Sequence, residues 1–272
     1  MITSTSNQKI KELLQFRKKS KARNQERVFI AEGSRMVGET PRDVLLKLYV
    51  SETYYNRHKE ELQKMQKQPE ILADPVFAYV SDTKSPQGIL AVIRQLNYRL
   101  EDMLGKQNPH ILILDNLQDP GNLGTIFRTA EAAGVSGILM GRDCVDIYNP
   151  KTIRSTMGAI YRMPFLYMDD LQKGIRILQE KGVRIYAAHL EGKRFYDEED
   201  YRRGTAFLIG NEGNGLNPEI ARCADAWVCI PMAGQAESLN AAMAAGILMF
   251  EASRQRRQRS SKLHDNECRK GK

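Results

Sequence analysis

Metal-binding side chains are few and scattered in this sequence of 272 residues. It has four cysteines, Cys144, Cys223, Cys229 and Cys268, with no CxxC pair, and four isolated histidines. That spacing suits neither a zinc site nor a dense disulfide framework. A metal-free protein of a reducing compartment is therefore expected, with Cys144, Cys223 and Cys229 as small core residues. No apolar run approaches membrane-spanning length, and the opening MITSTSNQKIKELLQ is polar and basic rather than signal-like. A cytoplasmic location is the expectation. The dinucleotide fingerprint GxGxxG is missing, and so is a glycine loop ending in Gly-Lys-Ser/Thr. A nucleotide-binding oxidoreductase with a doubly wound sheet would need the first of these, with an acid about twenty residues further on. Tryptophan occurs once, at Trp227, where it opens a strand pattern and reads as packing.

Charge of both signs is plentiful but unevenly placed. The first 27 residues hold eight Lys/Arg against two Glu, and the last 20 hold eight against two acids. With a net charge of +8 overall, the intervening body is mildly acidic. Two basic ends suit a polyanion, because neutralised phosphates release counterions. They suit solvated termini equally well. The run Arg17–Arg23 is either a solvated helix end or a clamp on nucleic acid, with Lys18, Lys19, Lys21 and Arg23 as its cations. For 255–272 the composition predicts a basic, disordered tail.

Hydrophobic residues make up 42% of the chain, enough for a core, and the length allows one large domain or two ordinary ones. Periodicity divides it into two α/β units. The first covers 1–98. It contains a helix over 7–16, strands at RVFIAEG, LLKLYVSE and GILAVIRQL, and a charged helix over 56–67. Polar residues 99–108 read as a linker. The second unit, 109–254, alternates apolar strands (HILILD, GILMG, VRIYAAHL, TAFLIG, AWVCIP) with helices. These begin near Asn122, over 149–160, over 169–181 and over 238–256. That alternation predicts a parallel sheet covered on both faces.

Three segments of the second unit place small polar residues between a strand and a helix. In DNLQDPGNLGTIFRTAEAAG, Asn122 is typed as an N-cap, and Arg128 lies a turn or so into the helix, where an anion could be held. The plainer alternative is a surface Arg128 paired with Glu131. In LIGNEGNGLNPEI, the GNEGNG loop resembles a phosphate cradle. Glu212 would repel phosphate, however, and favours a cationic or neutral ligand, unless the loop is only a turn. In CIPMAGQAESLNAAMAAGILMFE, Ser238 is a natural N-cap, and Leu239, Met243, Ile247 and Phe250 are expected to pack inward. The run of Ala241, Ala242, Ala244, Ala245 and Gly246 leaves a slim helix that another backbone can approach. His189 reads as a loop residue at a strand end rather than a base.

Taken in order, the three segments resemble the SpoU/TrmH branch of the SPOUT RNA methyltransferases, which methylate ribose 2′-hydroxyls with S-adenosylmethionine. Asn122, Gly124 and Arg128 match its first motif. Gly210, Glu212 and Gly213 match the second, and Ile230, Pro231, Met232, Ser238, Leu239 and Asn240 the third. The first unit resembles the family's ribosomal-protein-like substrate-binding domain through SNQKIKELLQF, VFIAEG and SDTKSPQGIL. Ala241-Ala242 departs from the Val-Ser or Val-Ala often found after Ser-Leu-Asn.

The resemblance implies an α/β fold with a deep trefoil knot that holds the cofactor, and a homodimer packed through the C-terminal unit. It implies that Gly210, Ile230 and Leu239 hold the adenosine, with Met232 nearby, and that no metal takes part. Arg128 is implied at the catalytic centre. A guanidinium stays protonated, so the expected role is a clamp on phosphate and on the developing 2′-oxygen charge rather than a base. Asn122 is expected to fix Arg128 or the ribose, Glu212 to orient Arg128 or an RNA group, and Ser238 and Asn240 to complete a hydrogen-bonded pocket. A guanosine of 23S rRNA is the expected target, with a tRNA ribose as the alternative. A non-catalytic ribosome-assembly factor on the same scaffold would be expected to lose Arg128, Glu212 or Asn240, and all three are present.

Overall fold

The structure is a computed structural model. It describes residues 1–65, 67–105 and 107–270, with side chains to Gln258. The chain forms two compact units. Unit 1 comprises Met1–Asn97 together with Asp146–Tyr161, and unit 2 the remainder.

Unit 1 is built on a four-stranded sheet of β1 (Val28–Glu32), β2 (Leu45–Ser51), β3 (Glu70–Leu72) and β4 (Ile89–Arg94), in the order β1-β4-β2-β3. β4 runs antiparallel to both β1 and β2, while β2 and β3 are parallel. The Gln8–Lys18 helix lays Ile10 and Leu13 on this sheet beside Val28, Tyr49 and Val92. Sequence patterning misses β3, which has three residues, and the Asp74–Val80 helix behind it. The helix expected over 56–67 is instead two short ones, Glu52–Arg57 and Lys59–Gln63. Ser51 sets the earlier start, since its hydroxyl accepts from Tyr54 N at 3.1 Å.

The Asp146–Tyr161 segment is tied into unit 1 by polar contacts as well as packing. Tyr148 stacks on Phe29 at 4.9 Å, and its hydroxyl accepts from Leu96 N and donates to Leu96 O. Tyr161 donates to Met36 O at 3.0 Å. Arg23 meets Asp146 at 2.5 Å. The residues expected as a linker, 99–108, belong to unit 2 and include a short helix, Leu100–Leu104.

Unit 2 is a seven-stranded, all-parallel sheet in the order β7-β6-β5-β10-β8-β11-β9. Its strands are β5 (His110–Leu114), β6 (Gly137–Gly141), β7 (Phe165–Met168), β8 (Arg184–Ala188), β9 (Arg194–Phe195), β10 (Thr205–Ile209) and β11 (Ala226–Cys229). β5 and β10 are buried along their whole length, as continuous apolar runs flanked by parallel neighbours should be. β10 inserts between β5 and β8 although it follows both in sequence. The carboxyl ends of β5 and β10 therefore lie side by side, Leu114 in register with Ile209. Strand order reverses there, and an open parallel sheet binds ligands in the crevice outside such strand ends.

Two helix starts differ from expectation. The first helix after β5 runs over Pro120–Ala133, and its cap is Asp119, whose carboxylate accepts from Asn122 N at 2.7 Å. Pro120 at the first helical position needs no N–H partner and fixes φ, so the start falls ahead of Asn122. The last helix, Ala241–Lys270, is capped by Asn240 rather than Ser238, with Asn240 Oδ1 accepting from Ala242 N and Met243 N. This helix also corrects the expected start of disorder at 255. Gln255 donates to Glu199 O, and the Arg256 guanidinium donates to the carbonyls of Asn108, Tyr201 and Arg203. The side chains of 259–272 lie outside the described residues.

Candidate active site

The loops leaving the carboxyl ends of β5, β8, β10 and β11 gather at one edge of the sheet. Asp115 continues β5, and its N–H donates to Ile209 O at 2.9 Å while its carboxylate accepts from Asn217 N at 2.8 Å. The Gly210–Leu216 loop is thus pinned at both ends to the neighbouring strand. It closes on itself through paired Asn211–Gly215 backbone bonds, with the Asn211 side chain accepting from Gly213 N and Asn214 N. Gly210 is required by close approach. A Cβ there would overlap the Gly215 carbonyl and Leu216 N, which are backbone atoms that cannot swing aside.

Glu212 projects from this loop to the start of the Pro120–Ala133 helix. Its two oxygens accept from Gln118 N at 3.1 Å, Asp119 N at 3.0 Å and Asn122 Nδ2 at 3.0 Å. Burial on its own would raise this carboxyl's pKa, but the Asn122 amide and the backbone donors outweigh it and hold the group below the usual carboxylate range. Asn122 Oδ1 in turn accepts from Asn240 Nδ2 at 3.0 Å. Asn240 Oδ1 is occupied by the first N–H groups of the last helix. One amide from each outer motif and the carboxylate of the middle motif therefore form a single chain, Asn240–Asn122–Glu212. In it every amide oxygen accepts and every amide nitrogen donates.

Beside this chain lies a cleft of about 460 Å³. Gly210, Ile230, Met232 and Leu239 line it, together with Ser238 and Glu212. The walls are apolar at Ile209, Val228 and Ala244, and three carboxylates, Glu191, Glu212 and Glu237, stand on its border. An apolar cleft with acids at the rim suits a flat heterocycle carrying positive charge.

Several expected roles change in the structure. Asn122 and Glu212 bind one another, and neither makes a hydrogen bond to Arg128 among the described residues. Arg128 is exposed and makes no ion pair there either. The simple surface pair with Glu131 is also ruled out, because Glu131 is engaged by Arg162. Ser238 lines the cleft but makes no hydrogen bond among the described residues. Lys18, Lys19 and Lys21 are exposed, whereas Arg23 is buried against Asp146 and unavailable to a partner.

Sequence reasoning did not place His189, Glu191 or Glu237 at the cleft. His189 stacks on Trp227 at 4.1 Å, and its Nδ1 accepts from Glu191 N, which leaves Nε2 to carry the proton. Its place beside the cleft depends on the β8–β11 pairing, which local pattern does not reveal. Among the described residues no three His, Cys, Asp or Glu side chains gather as a metal site.

A parallel sheet with a ligand cleft at its strand ends, bordered by a three-motif amide–carboxylate chain, defines a cofactor-binding α/β transferase unit joined to a second domain. Residues 109–250 match the SpoU rRNA Methylase family and residues 7–91 the MRM3-like substrate binding domain. The chain belongs to the SpoU rRNA methylase family. It is 34% identical over 252 residues to the 23S rRNA (guanosine(2553)-2'-O)-methyltransferase RlmP of Bacillus subtilis, covering 92% of this chain and 97% of that one. To the 23S rRNA (guanosine-2'-O-)-methyltransferase RlmB of Shewanella oneidensis it is 36% identical over 193 residues, covering 69% and 78%. The AdoMet-bound rRNA methyltransferase from Sinorhizobium meliloti superposes with a TM-score of 0.82 at 33% identity, covering 93% of this chain and 97% of that one.

Proposed function

We propose that this protein transfers a methyl group from S-adenosylmethionine to a ribose 2′-hydroxyl of RNA, at a guanosine of 23S rRNA. The observation that carries this reading is the Asn240–Asn122–Glu212 chain, which ties the first motif to the second and third, and residues of those two line one cleft. The cleft fits the cofactor. Gly210 lets backbone form its floor, Ile230, Met232 and Leu239 supply apolar contact for the adenosine, and the rim carboxylates complement a cation. S-adenosylmethionine supplies an electrophilic methyl group on a sulfonium centre, so no metal is called for.

Each protein group then has a definite task. Glu212 and Asn122 hold the loop of the second motif against the helix of the first, so the cleft and Arg128 keep a fixed relation. Arg128, exposed and without an ion pair among the described residues, grips a phosphate of the target nucleotide and stabilises charge as the 2′-oxygen loses its proton. Asn240 caps the last helix and passes its amide to Asn122. Ser238 presents its hydroxyl at the cleft wall. Lys18, Lys19 and Lys21 contact RNA phosphates from unit 1. The chain threads as the family's trefoil knot.

Dimerisation through unit 2 rests on an apolar stripe left uncovered in the single chain. Leu239, Met243 and Phe250 are 37%, 60% and 44% exposed, with partly buried Ile247 between them. Among the described residues no helix is long and apolar enough to cross a membrane, and the cytoplasm, where rRNA is made in bacteria, is the proposed location.

Arg128→Ala tests the reading. Single-turnover methylation at saturating protein should fall by roughly 10²–10³, while calorimetric affinity for S-adenosylmethionine stays unchanged. Full single-turnover activity in the variant would refute the role of Arg128. A wild-type protein that binds RNA but transfers no methyl group would instead favour a non-catalytic assembly factor.

A further inference from the structure

Unit 1 contains its own cleft, of about 750 Å³, which none of the three motifs explains. It opens where the turn after β1 meets the turn before β4 and the Glu52–Arg57 helix. Ser34, Arg35, Tyr54, Arg57, His58 and Gln87 line it. Three independent features of its wall point to the same ligand.

The first is aromatic. Tyr54 and His58, one turn apart, are stacked with centroids 4.2 Å apart and planes 22° from parallel, and both stay half-exposed. The second is a fixed amide. Gln87 Oε1 accepts from Ser34 N at 2.8 Å, so its Nε2 is directed as a donor, and that nitrogen has no partner among the described residues. Two glycines with left-handed backbone make this wall possible. Gly33 has φ 101°, and a Cβ there would crowd Gln87. Gly88 has φ 92°, and a Cβ there would fall 2.8 Å from Tyr54 Cβ.

The third feature is charge. Arg35 and Arg57 both reach the cleft. Arg35 shares its charge with Glu39, whereas Arg57 makes no ion pair among the described residues, although its charge acts on nearby Asp74. The single acid of the lining, Asp74, is occupied by Thr53 N and Thr53 Oγ1 at 3.1 and 2.6 Å.

We propose that this cleft is a subsite for one unpaired nucleotide of the RNA. The inference rests on the RNA reading above and adds a recognition element remote in sequence from the methyl-transfer motifs. The base extends the Tyr54–His58 stack, Gln87 Nε2 donates to an acceptor on the base edge, and Arg57 meets the phosphate. The nucleotide must be unpaired. A base within a duplex has both faces covered by neighbours, whereas a splayed base offers a face to an aromatic side chain and an edge to an amide. A phosphate-only ligand would leave the stack and the oriented amide without a role.

The test uses the full chain and in-vitro-transcribed 23S rRNA in filter binding across a salt series. His58 is the residue to vary, because Tyr54 also packs against Gly88, whereas His58 Nδ1 meets the exposed Glu61 carboxylate at 3.1 Å, a surface contact of little weight. His58→Ala should weaken binding by roughly ten-fold, and His58→Tyr, which keeps a stacking face, should restore it. Arg57→Gln should lower the slope of log affinity against log salt by about one. Affinity for S-adenosylmethionine and the melting temperature should stay at wild-type values in all three. Wild-type RNA affinity in both His58→Ala and Arg57→Gln overturns the subsite alone. So does a His58→Tyr as weak as His58→Ala. A wild-type protein that binds no RNA overturns the RNA reading and the subsite with it.

Discussion

Replacing Arg23 by alanine separates two meanings of a basic run. In the sequence, Arg23 is one of the cations of RKKSKAR, a candidate for phosphate contact. In the structure its side chain is 4% exposed and meets Asp146, itself 25% exposed, at 2.5 Å. The guanidinium also donates to Phe16 O at 2.7 Å and Arg17 O at 3.3 Å. Those carbonyls lie in the last turn of the Gln8–Lys18 helix and lack intrahelical partners. Arg23→Ala would leave two carbonyls and one oxygen of a partly buried carboxylate without their donors, the other oxygen keeping its bond from Tyr148 N at 2.9 Å. Breaking a fully buried pair from one side costs about 3–5 kcal/mol. Water reaches Asp146 in part, so about 2–4 kcal/mol is expected here. For a unit of this size that lowers the melting temperature by roughly 5–15 °C.

Thermal unfolding of Arg23→Ala should show this loss, whereas Lys18→Ala, Lys19→Ala and Lys21→Ala should each stay within about 0.5 kcal/mol of wild type. The three lysine variants should instead weaken RNA binding and flatten its salt dependence. An Arg23→Ala protein that melts within a degree of wild type yet binds RNA weakly would refute the structural assignment and return Arg23 to the RNA face.

Three further outcomes can be checked. Burial pushes the His110 imidazole down to about 3. Between that value and an unfolded value of about 6.5 the unfolded chain binds the extra proton, so stability falls as pH drops through this window. Urea unfolding should therefore show His110→Leu gaining about 2 kcal/mol on wild type between pH 7 and pH 5, and a constant gap would count against it. Gly210→Ala places a methyl group into the Gly215 carbonyl and Leu216 N. Calorimetry should find cofactor affinity reduced by about ten-fold or more, in line with an overpacking cost of about 1–3 kcal/mol, and unchanged affinity would show that the loop is not rigid. Met243→Glu, on the exposed apolar stripe, should convert dimers to monomers in sedimentation, and dimers that persist at micromolar concentration would place the interface elsewhere.

What could be read from the sequence follows the range of the interactions involved. The continuous apolar runs of β5, β6, β8, β10 and β11 are legible because parallel strands are covered on both faces. β3, with three residues, and β7, with four and three of them only half-buried, carry too little pattern to detect. The three motifs are legible as residue types at set spacings. Their partners are not, since Asn122–Asn240 and Asn122–Glu212 join residues 118 and 90 positions apart. The packing of Asp146–Tyr161 into unit 1 is hidden for the same reason. Within the sequence it stands between β6 and β7 of the other unit, and its contacts with distant residues such as Arg23, Phe29, Met36 and Leu96 reveal where it belongs.

The last helix shows a different kind of limit, and it bears on assembly. From Ala241 to Phe250 it is apolar nearly all round, so a 3.6-residue period offers two stripes with equal claim to the core. Leu239, Met243, Ile247 and Phe250 form the bulkier stripe and were expected inside. The structure buries Ala241, Ala245, Leu248, Met249 and Ala252 instead, and leaves Leu239, Met243 and Phe250 exposed. The slim alanine face explains the choice, because it lets the helix lie close to the Pro120–Ala133 helix and β10. The bulky stripe then remains on the outside. Exposed large apolar side chains scattered singly need no explanation, but four at helical spacing on one face form a continuous surface of the kind that a second subunit covers. Leu239 belongs both to that stripe and to the cofactor cleft. If the stripe is the dimer interface, a dimer-breaking change at Met243, which does not line the cleft, should also loosen the cleft wall and weaken cofactor binding. Cofactor affinity that stays constant as the protein is diluted from dimer to monomer would break that link.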